Sequence, residues 1–275
     1  MRPAAFAVAF SLLLAAAGAS AAAPAPADWR TPDPANVLVI DTTKGRIVVE
    51  MVPEMAPAHV AQVRALAHQG FYDGLAFFRV LDRFMAQTGD PDDRGDGKST
   101  LPDLKSEFSL RRDMATPFVT VARPMGLQVG FIGTLPVVSQ ADAFMVVTQD
   151  HKAAAWATYC PGVVGMGRDD SPDSANSQFF LMRDAYPSLD KRYTAWGRVL
   201  SGLDVVRAIK TGEPVKDPDR MLSVRVLADL PEATRPKVRV IDPGGPAFAA
   251  LVKKVRAARG ADFSVCDIDL PVEVR

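Results

Sequence analysis

At 275 residues the chain is long enough to bury a full core, as one elaborated domain or as two, and a single elaborated domain is the expectation. With 48% apolar and 23% charged residues the composition is that of a soluble globular protein. The 32 basic residues balance the 32 acidic ones, so no bulk field would recruit nucleic acid or an acidic lipid surface, and neither is expected as a partner.

The chain opens with Arg2, an apolar run from Ala4 to Ala17 and the small residues Ala19-Ser20-Ala21. This is a secretory signal pattern over residues 1–21, and the mature protein is expected to be exported. The run is short for a membrane span, and no later segment approaches about 18 uninterrupted apolar residues, so no span is expected. Residues 22–35 are Ala/Pro-rich and read as a flexible lead-in. The two cysteines, Cys160 and Cys266, could form one disulfide in an oxidising compartment. Two buried thiols that never meet fit the spacing equally well.

The β-rich runs Val37 to Asp41 and Gly45 to Met51, separated by Thr42-Thr43-Lys44, predict a hairpin. Pro57 then opens a helix over Ala58 to Gln69, with Val60, Val63 and Leu66 at helical spacing and Gly70 as its stop. Short apolar segments follow at Leu75 to Val80, Phe84 to Gln87, Val163 to Met166, Gln178 to Met182, Ala195 to Val199 and Leu222 to Leu227. Many short strands predict a closed or nearly closed barrel. A second helix is predicted over Leu203 to Ile209. Two stretches stand apart from this pattern. Thr116 to Tyr159 carries strand-like runs at Phe118 to Ala122, Leu127 to Ile132 and Phe144 to Val147. Residues 232–275 offer a strand at Val238 to Ile241, a helix at Pro246 to Arg259 and a strand-like Phe263 to Ile268.

Several chemistries lack their residues. His59, His68 and His151 have no zinc-ligand spacing, and His59 and His68 read as solvated helix residues. There is no G-x-S-x-G elbow, phosphate-binding loop or G-x-G-x-x-G turn. Asp90 to Gly97 has a calcium-loop flavour, but Arg94 and Leu101 fall where oxygen ligands belong. It reads as a polar turn, and no metal site is assigned.

The informative stretch runs Phe77-Phe78-Arg79-Val80-Leu81-Asp82-Arg83-Phe84-Met85-Ala86-Gln87-Thr88-Gly89-Asp90. A second reads Ser174-Ala175-Asn176-Ser177-Gln178-Phe179-Phe180-Leu181, and a third Leu189-Asp190-Lys191-Arg192-Tyr193-Thr194-Ala195-Trp196-Gly197-Arg198-Val199. Together, in this order, they resemble the hallmarks of the cyclophilins, over residues 36–231. The resemblance implies a mainly β fold, an eight-stranded antiparallel barrel capped by two helices. It also implies peptidyl-prolyl cis-trans isomerase activity on proline-containing polypeptides, with no cofactor. The inserted segment, about 116–159, and the extension 232–275 fall outside it. Because the insertion leaves after Glu107-Phe108 and returns before Gly162, it is expected to form a folded flap beside the groove.

The residue types suit the reaction. Rotation about an amide meets a barrier of roughly 18–20 kcal/mol because the nitrogen lone pair is delocalised. No covalent bond need form; what is needed is a proline-shaped apolar pocket and a donor that favours the twisted, pyramidal nitrogen. The resemblance implies that Arg79 is that donor, that Gln87 orients it and contacts substrate backbone, and that Phe84, Met85, Phe180 and Leu189 line the pocket. Gly167, Arg168 and Tyr193 would form its rim, and Val80 and Phe179, by strand alternation, would face the core. Phe78 stands where many eukaryotic relatives carry His, and Ser188 where cyclosporin-sensitive members carry Trp, so weak cyclosporin binding is expected. Arg168 and Tyr193 look like bacterial members, which with the export signal points to the periplasm. A competing reading is a proline-segment-binding chaperone module with little turnover.

Overall fold

The computed structural model describes residues 24–275, so the expected signal segment at 1–21 lies outside the described residues. After a short β1 (Trp29–Arg30) comes the expected hairpin of β2 (Val37–Thr42) and β3 (Gly45–Met51). Val37, Leu38, Val39 and Ile40 are all buried, because this hairpin is covered on both faces. Leu38 and Ile40 join Ile47 and Val49 in the main core. Val37, Val39 and Val48 point the other way and meet Leu227, Val238 and Val240.

Helix α1 (Pro57–His68) starts on a proline, whose ring presets the helical φ, and buries Val60, Val63 and Leu66. Its first turn is capped from a distance. The Glu107 carboxylate accepts from the N–H groups of Ala58 and His59, each at 3.1 Å, and lies 2.7 Å from His59 Nδ1. His59 is therefore fully buried, contrary to its reading as a solvated residue, because the carboxylate gives its ring a partner inside. His68 is part exposed and pairs with Asp229, as a surface position should.

The remaining elements are β4 (Arg79–Leu81), β5 (Met85–Thr88), β6 (Leu110–Arg112), β7 (Phe118–Ala122), β8 (Leu127–Ile132), β9 (Leu135–Gln140), α2 (Phe144–Val147) and β10 (Ala153–Ala157). They continue with β11 (Val163–Met166), β12 (Phe179–Met182), β13 (Ala195–Ser201), α3 (Leu203–Ala208), β14 (Met221–Val226), β15 (Val238–Ile241), α4 (Pro246–Arg259) and β16 (Val272–Val274). Eight strands form one antiparallel sheet in the order β14-β2-β3-β13-β11-β12-β5-β4. The sheet curls on itself: residues 212–220 bridge its two edge strands, with Val80 and Gly212 exchanging backbone hydrogen bonds at 2.8 Å and Phe77 donating to Asp219. Phe179, Trp196, Val80 and the apolar face of α1 fill the interior. The expected cyclophilin-like barrel with two capping helices is the observed architecture.

The inserted segment folds as a second sheet, β6-β10-β9-β8-β7, so it begins at Leu110, before the expected Thr116. It shares a core with the C-terminal extension: Phe131 meets Phe248 of α4 edge-on at 5.6 Å, and Ile132, Leu135 and Val137 are buried in the same apolar cluster. A disulfide joins Cys160 to Cys266, so the paired alternative for the two cysteines is the observed one.

Three local expectations need correction. The described part of the stretch read as a flexible lead-in, residues 24–35, is tied to the fold: β1 pairs with β15 in a sheet completed by β16, Arg30 forms a two-pronged bond with Glu50, and the buried Asp28 accepts from Ala247 N–H. Its Ala/Pro composition hid the anchors Asp28, Trp29 and Arg30. Phe144–Val147 is a single helical turn that leaves Val146 and Val147 exposed, and no strand. Phe263 to Ile268 is held as a tight turn because Ser264 Oγ accepts from Cys266 N–H and the Asp267 carboxylate accepts from Ser264 N–H. The strand of that region lies further on, at β16.

Candidate active site

Strand pairing brings the site together. Arg79 of β4 stands opposite Gln87 of β5, which in turn stands opposite Phe180 of β12. Directly opposed residues share a face, and so does Met85, two residues before Gln87. The intervening Val80, Ala86, Phe179 and Leu181 turn into the barrel core, as alternation requires. The shared outer face opens on a cleft of about 810 Å³ lined by all nine residues expected at the site: Arg79, Phe84, Met85, Gln87, Gly167, Arg168, Phe180, Leu189 and Tyr193.

One end of the cleft is polar. Arg79 Nη1 donates to Gln87 Oε1 at 3.3 Å, and Gln87 Nε2 donates to Gln178 Oε1 at 2.9 Å. Gln178 Nε2 in turn donates to the carbonyls of Gly95 and Gly97, each at 3.0 Å. Those carbonyls belong to the turn after β5. Its shape is set by Asp90, whose buried carboxylate accepts from the N–H groups of Asp92, Gly95 and Gly97. The Asp-rich stretch therefore organises a turn that orients Gln178, Gln87 and finally Arg79. At Gly167 the backbone passes close beneath this chain of amides: a Cβ there would lie 3.1 Å from Gln178 Cβ and 3.4 Å from Gln87 Nε2.

The other end is apolar. Met85 and Phe180 form its buried base, Phe84 leans on Tyr186 with centroids 4.5 Å apart, and Tyr193 meets Phe180 edge-on at 5.8 Å. Arg168 lies over the Tyr193 ring at 4.5 Å, and carbonyls of Arg192, Asp169 and Asp170 hold its guanidinium. These contacts set its planar face over the Tyr193 ring at the edge of the cleft. Ser188, exposed in the turn before Leu189, adds no aromatic surface.

Residues 37–227 match the family described as cyclophilin type peptidyl-prolyl cis-trans isomerase/CLD. The chain belongs to the cyclophilins. It is a peptidyl-prolyl cis-trans isomerase. A probable peptidyl-prolyl cis-trans isomerase of Brucella suis biovar 1 is 35% identical over 213 residues, covering 72% of this chain and 85% of that one. The Brucella melitensis protein of the same description matches to the same extent. The crystal structure of a cyclophilin from Hirschia baltica superposes with a TM-score of 0.84 at 35% identity, over 90% of this chain and 94% of that one, so the likeness extends well beyond the barrel.

The cyclophilin site also contains residues that the motifs did not single out. Glu213 and Pro214 also line the cleft, and Arg79 Nε donates to Glu213 Oε1 at 2.5 Å. They sit in the loop after α3, far from any motif, so no sequence signal marked them. Gln178 did carry a signal, its place two residues before Phe180. The insertion, expected at 116–159 as a flap beside the groove, contributes no residue of that range to the cleft lining. Its approach to the rim is Trp156, whose ring lies 3.5 Å from Lys191 Nζ.

Proposed function

We propose that isomerisation proceeds without covalent chemistry, with Arg79 donating to the prolyl nitrogen as it becomes pyramidal and Gln87 steadying that donor and gripping substrate backbone. The proline ring packs against Phe180, Met85, Phe84 and Leu189 under a rim of Gly167, Arg168 and Tyr193. The observation that carries this reading is the cross-strand row Arg79, Gln87, Phe180, which sets a permanently charged fork beside an apolar hollow on one open cleft. A planar amide nitrogen accepts poorly, because its lone pair is shared with the carbonyl, whereas a twisted one accepts well. The donor therefore favours the transition state over either ground state. Each tenfold of acceleration corresponds to about 1.4 kcal/mol of such preference.

Exchange spectroscopy on an Ala-Pro peptide tests it. Arg79→Ala should lower kcat/KM by about a hundredfold or more while the protein stays folded, since one charged, oriented donor contributes on the order of 3 kcal/mol. Equal rates in the two proteins would overturn the role of Arg79 and return attention to the non-catalytic, segment-binding reading. The protein is further proposed to be exported to the periplasm, where its clients are other exported or folding polypeptides. Support comes from the basic-then-apolar leader of the sequence and from the Cys160–Cys266 disulfide, a bond suited to an oxidising compartment. Recovery of the mature chain in the cytosolic fraction would count against export. Cyclosporin is proposed to bind weakly, as Ser188 offers no ring to it.

A further inference from the structure

The wall behind the proposed proline pocket comes from outside the barrel strands. Tyr159, two residues past β10, is fully buried and stacks its ring on Phe180, with centroids 5.8 Å apart and planes 27° from parallel. No polar need explains this depth, because the Tyr159 hydroxyl has no hydrogen-bond partner among the described residues. The backbone of Tyr159 is tied on three sides. Its N–H donates to Asp190 Oδ1 at 3.0 Å, its carbonyl accepts from Tyr186 N–H at 2.8 Å, and the next residue, Cys160, is bonded to Cys266.

The strand opposite Phe180 leaves room for this contact. Gly165 of β11 pairs directly with Phe180, and a Cβ there would lie 2.5 Å from Phe180 Cζ and 2.6 Å from the Tyr159 hydroxyl oxygen. The two rings together fill the hollow over that glycine, and on its other side Phe180 meets Tyr193 edge-on. A ring clasped this way has little freedom to tilt.

We propose that Tyr159 is a positioning residue for the isomerase. Its ring fixes the pitch of Phe180 and so the shape of the surface on which the proline ring lies. The added subdomain thereby supports the active site from behind. This rests on Phe180 being the base of the proline pocket. The physical argument is one of shape. In a reaction without a covalent step, placement supplies much of the acceleration, and a base that rocks by an ångström loses it. The same Asp190 that receives the Tyr159 N–H adjoins Leu189, so both walls of the pocket are tied to one point.

The test measures exchange in an Ala-Pro peptide for the full chain and three variants, with the thermal midpoint of each recorded. Tyr159→Phe keeps the ring and removes only an unpartnered hydroxyl, so activity should stay within about twofold and stability should not fall. Tyr159→Leu removes the stacked ring and should lower kcat/KM by about threefold to tenfold, with kcat falling, because a loosened base misplaces the bound proline against its donor in the transition state. In ¹³C-Phe-labelled protein the Phe180 ring resonances should shift and broaden in Tyr159→Leu but not in Tyr159→Phe. Should Tyr159→Leu fail to fold, Tyr159→Met, which fills most of the volume without a ring, takes its place. Phe180→Ala is the control for the underlying reading: wild-type activity in that variant overturns the pocket assignment and the inference with it. A clear loss in Phe180→Ala beside wild-type activity and unchanged Phe180 resonances in folded Tyr159→Leu overturns the inference alone.

Discussion

Arg79 is held on two edges, its Nε 2.5 Å from Glu213 Oε1 and its Nη1 3.3 Å from Gln87 Oε1. Of the five N–H donors of a guanidinium, three therefore remain for the substrate. Both members of the Arg79–Glu213 pair are partly exposed, at 34% and 53%, so the pair itself contributes only about 0–1 kcal/mol. Glu213→Gln should accordingly change kcat/KM on an uncharged Ala-Pro peptide by less than about fivefold. Substrate charge should reveal it better. A carboxylate at the mouth of the cleft repels an acidic residue beside the proline and attracts a basic one. Glu213→Gln should therefore raise the ratio of kcat/KM for Glu-Pro over Lys-Pro peptides by about threefold at low salt, and added salt should erase the difference. An unchanged ratio at low salt would mean that Glu213 acts on Arg79 alone.

Cyclosporin should bind poorly. The exposed Ser188 supplies neither the apolar area nor the N–H of an indole at the pocket edge. Loss of one good hydrogen bond and a large aromatic contact costs on the order of 2–4 kcal/mol, or tens to hundreds of times in affinity. Titration calorimetry should give a dissociation constant well above the nanomolar range, and Ser188→Trp should tighten it. Nanomolar binding by the unaltered protein would refute the assignment of Ser188 to that edge.

Why the motif order leads one to expect nine residues on one cleft, and says nothing of Glu213, follows from where each sits. Arg79, Gln87 and Phe180 lie on strands, where a period of two decides which side chains share a face, so the motif order already carries the geometry. Glu213 reaches Arg79 from a loop 134 residues away, and no local pattern encodes that meeting. The same holds for His59, whose partner Glu107 is 48 residues distant, so its burial has no local sign in the sequence. Phe144–Val147 failed differently: a run of four apolar residues has no period, and so does not distinguish strand from helical turn. The ordered Trp29 and Arg30 show that composition alone misjudges a segment with two good anchors.

Acid should weaken the N-terminal end of α1. Burial alone would raise the pKa of Glu107, but the hydrogen bonds from the His59 ring and from the Ala58 and His59 N–H groups outweigh it and hold the carboxyl below the usual glutamate range. With the folded value depressed, the stabilisation is complete above the ordinary glutamate pKa of about 4.3 and is lost as pH falls through the lower folded value. Glu107→Gln should thus lower stability by about 1–2 kcal/mol at pH 7, a drop of a few degrees in thermal midpoint. The gap between the two proteins should close as pH falls below about 4, whereas a gap independent of pH would show that the carboxylate's charge is not what holds the cap.

The disulfide should matter for stability. It closes a separation of 106 residues, for which the chain-entropy model gives a stabilisation of about 4–5 kcal/mol. Scanning calorimetry with and without reductant should show a midpoint lower by about 10 °C in the reduced protein. A shift under about 2 °C would mean that the reduced chain keeps enough residual structure when unfolded to bring residues 160 and 266 together without the bond.

Cutting out the insertion separates two views of it. A flap lying over the groove could be replaced by a short Gly/Ser linker with little effect on the barrel or on short-peptide exchange. The observed sheet gives a different expectation, because Phe131, Ile132, Leu135 and Val137 are fully buried in a core shared with α4, and removing Phe131 would uncover Phe248. Stripping several such side chains costs about 2–5 kcal/mol each, comparable in sum to the whole stability of a domain. Replacement of residues 116–157 should therefore give a chain that aggregates or melts far below the parent. Residual exchange should follow its folded fraction, while Trp156→Ala, which touches only the rim contact with Lys191, should leave the fold intact and short-peptide exchange within about twofold. A soluble deletion variant with parental melting and parental exchange would show that the inserted sheet is dispensable packing, and that the core it shares with α4 contributes nothing the barrel needs.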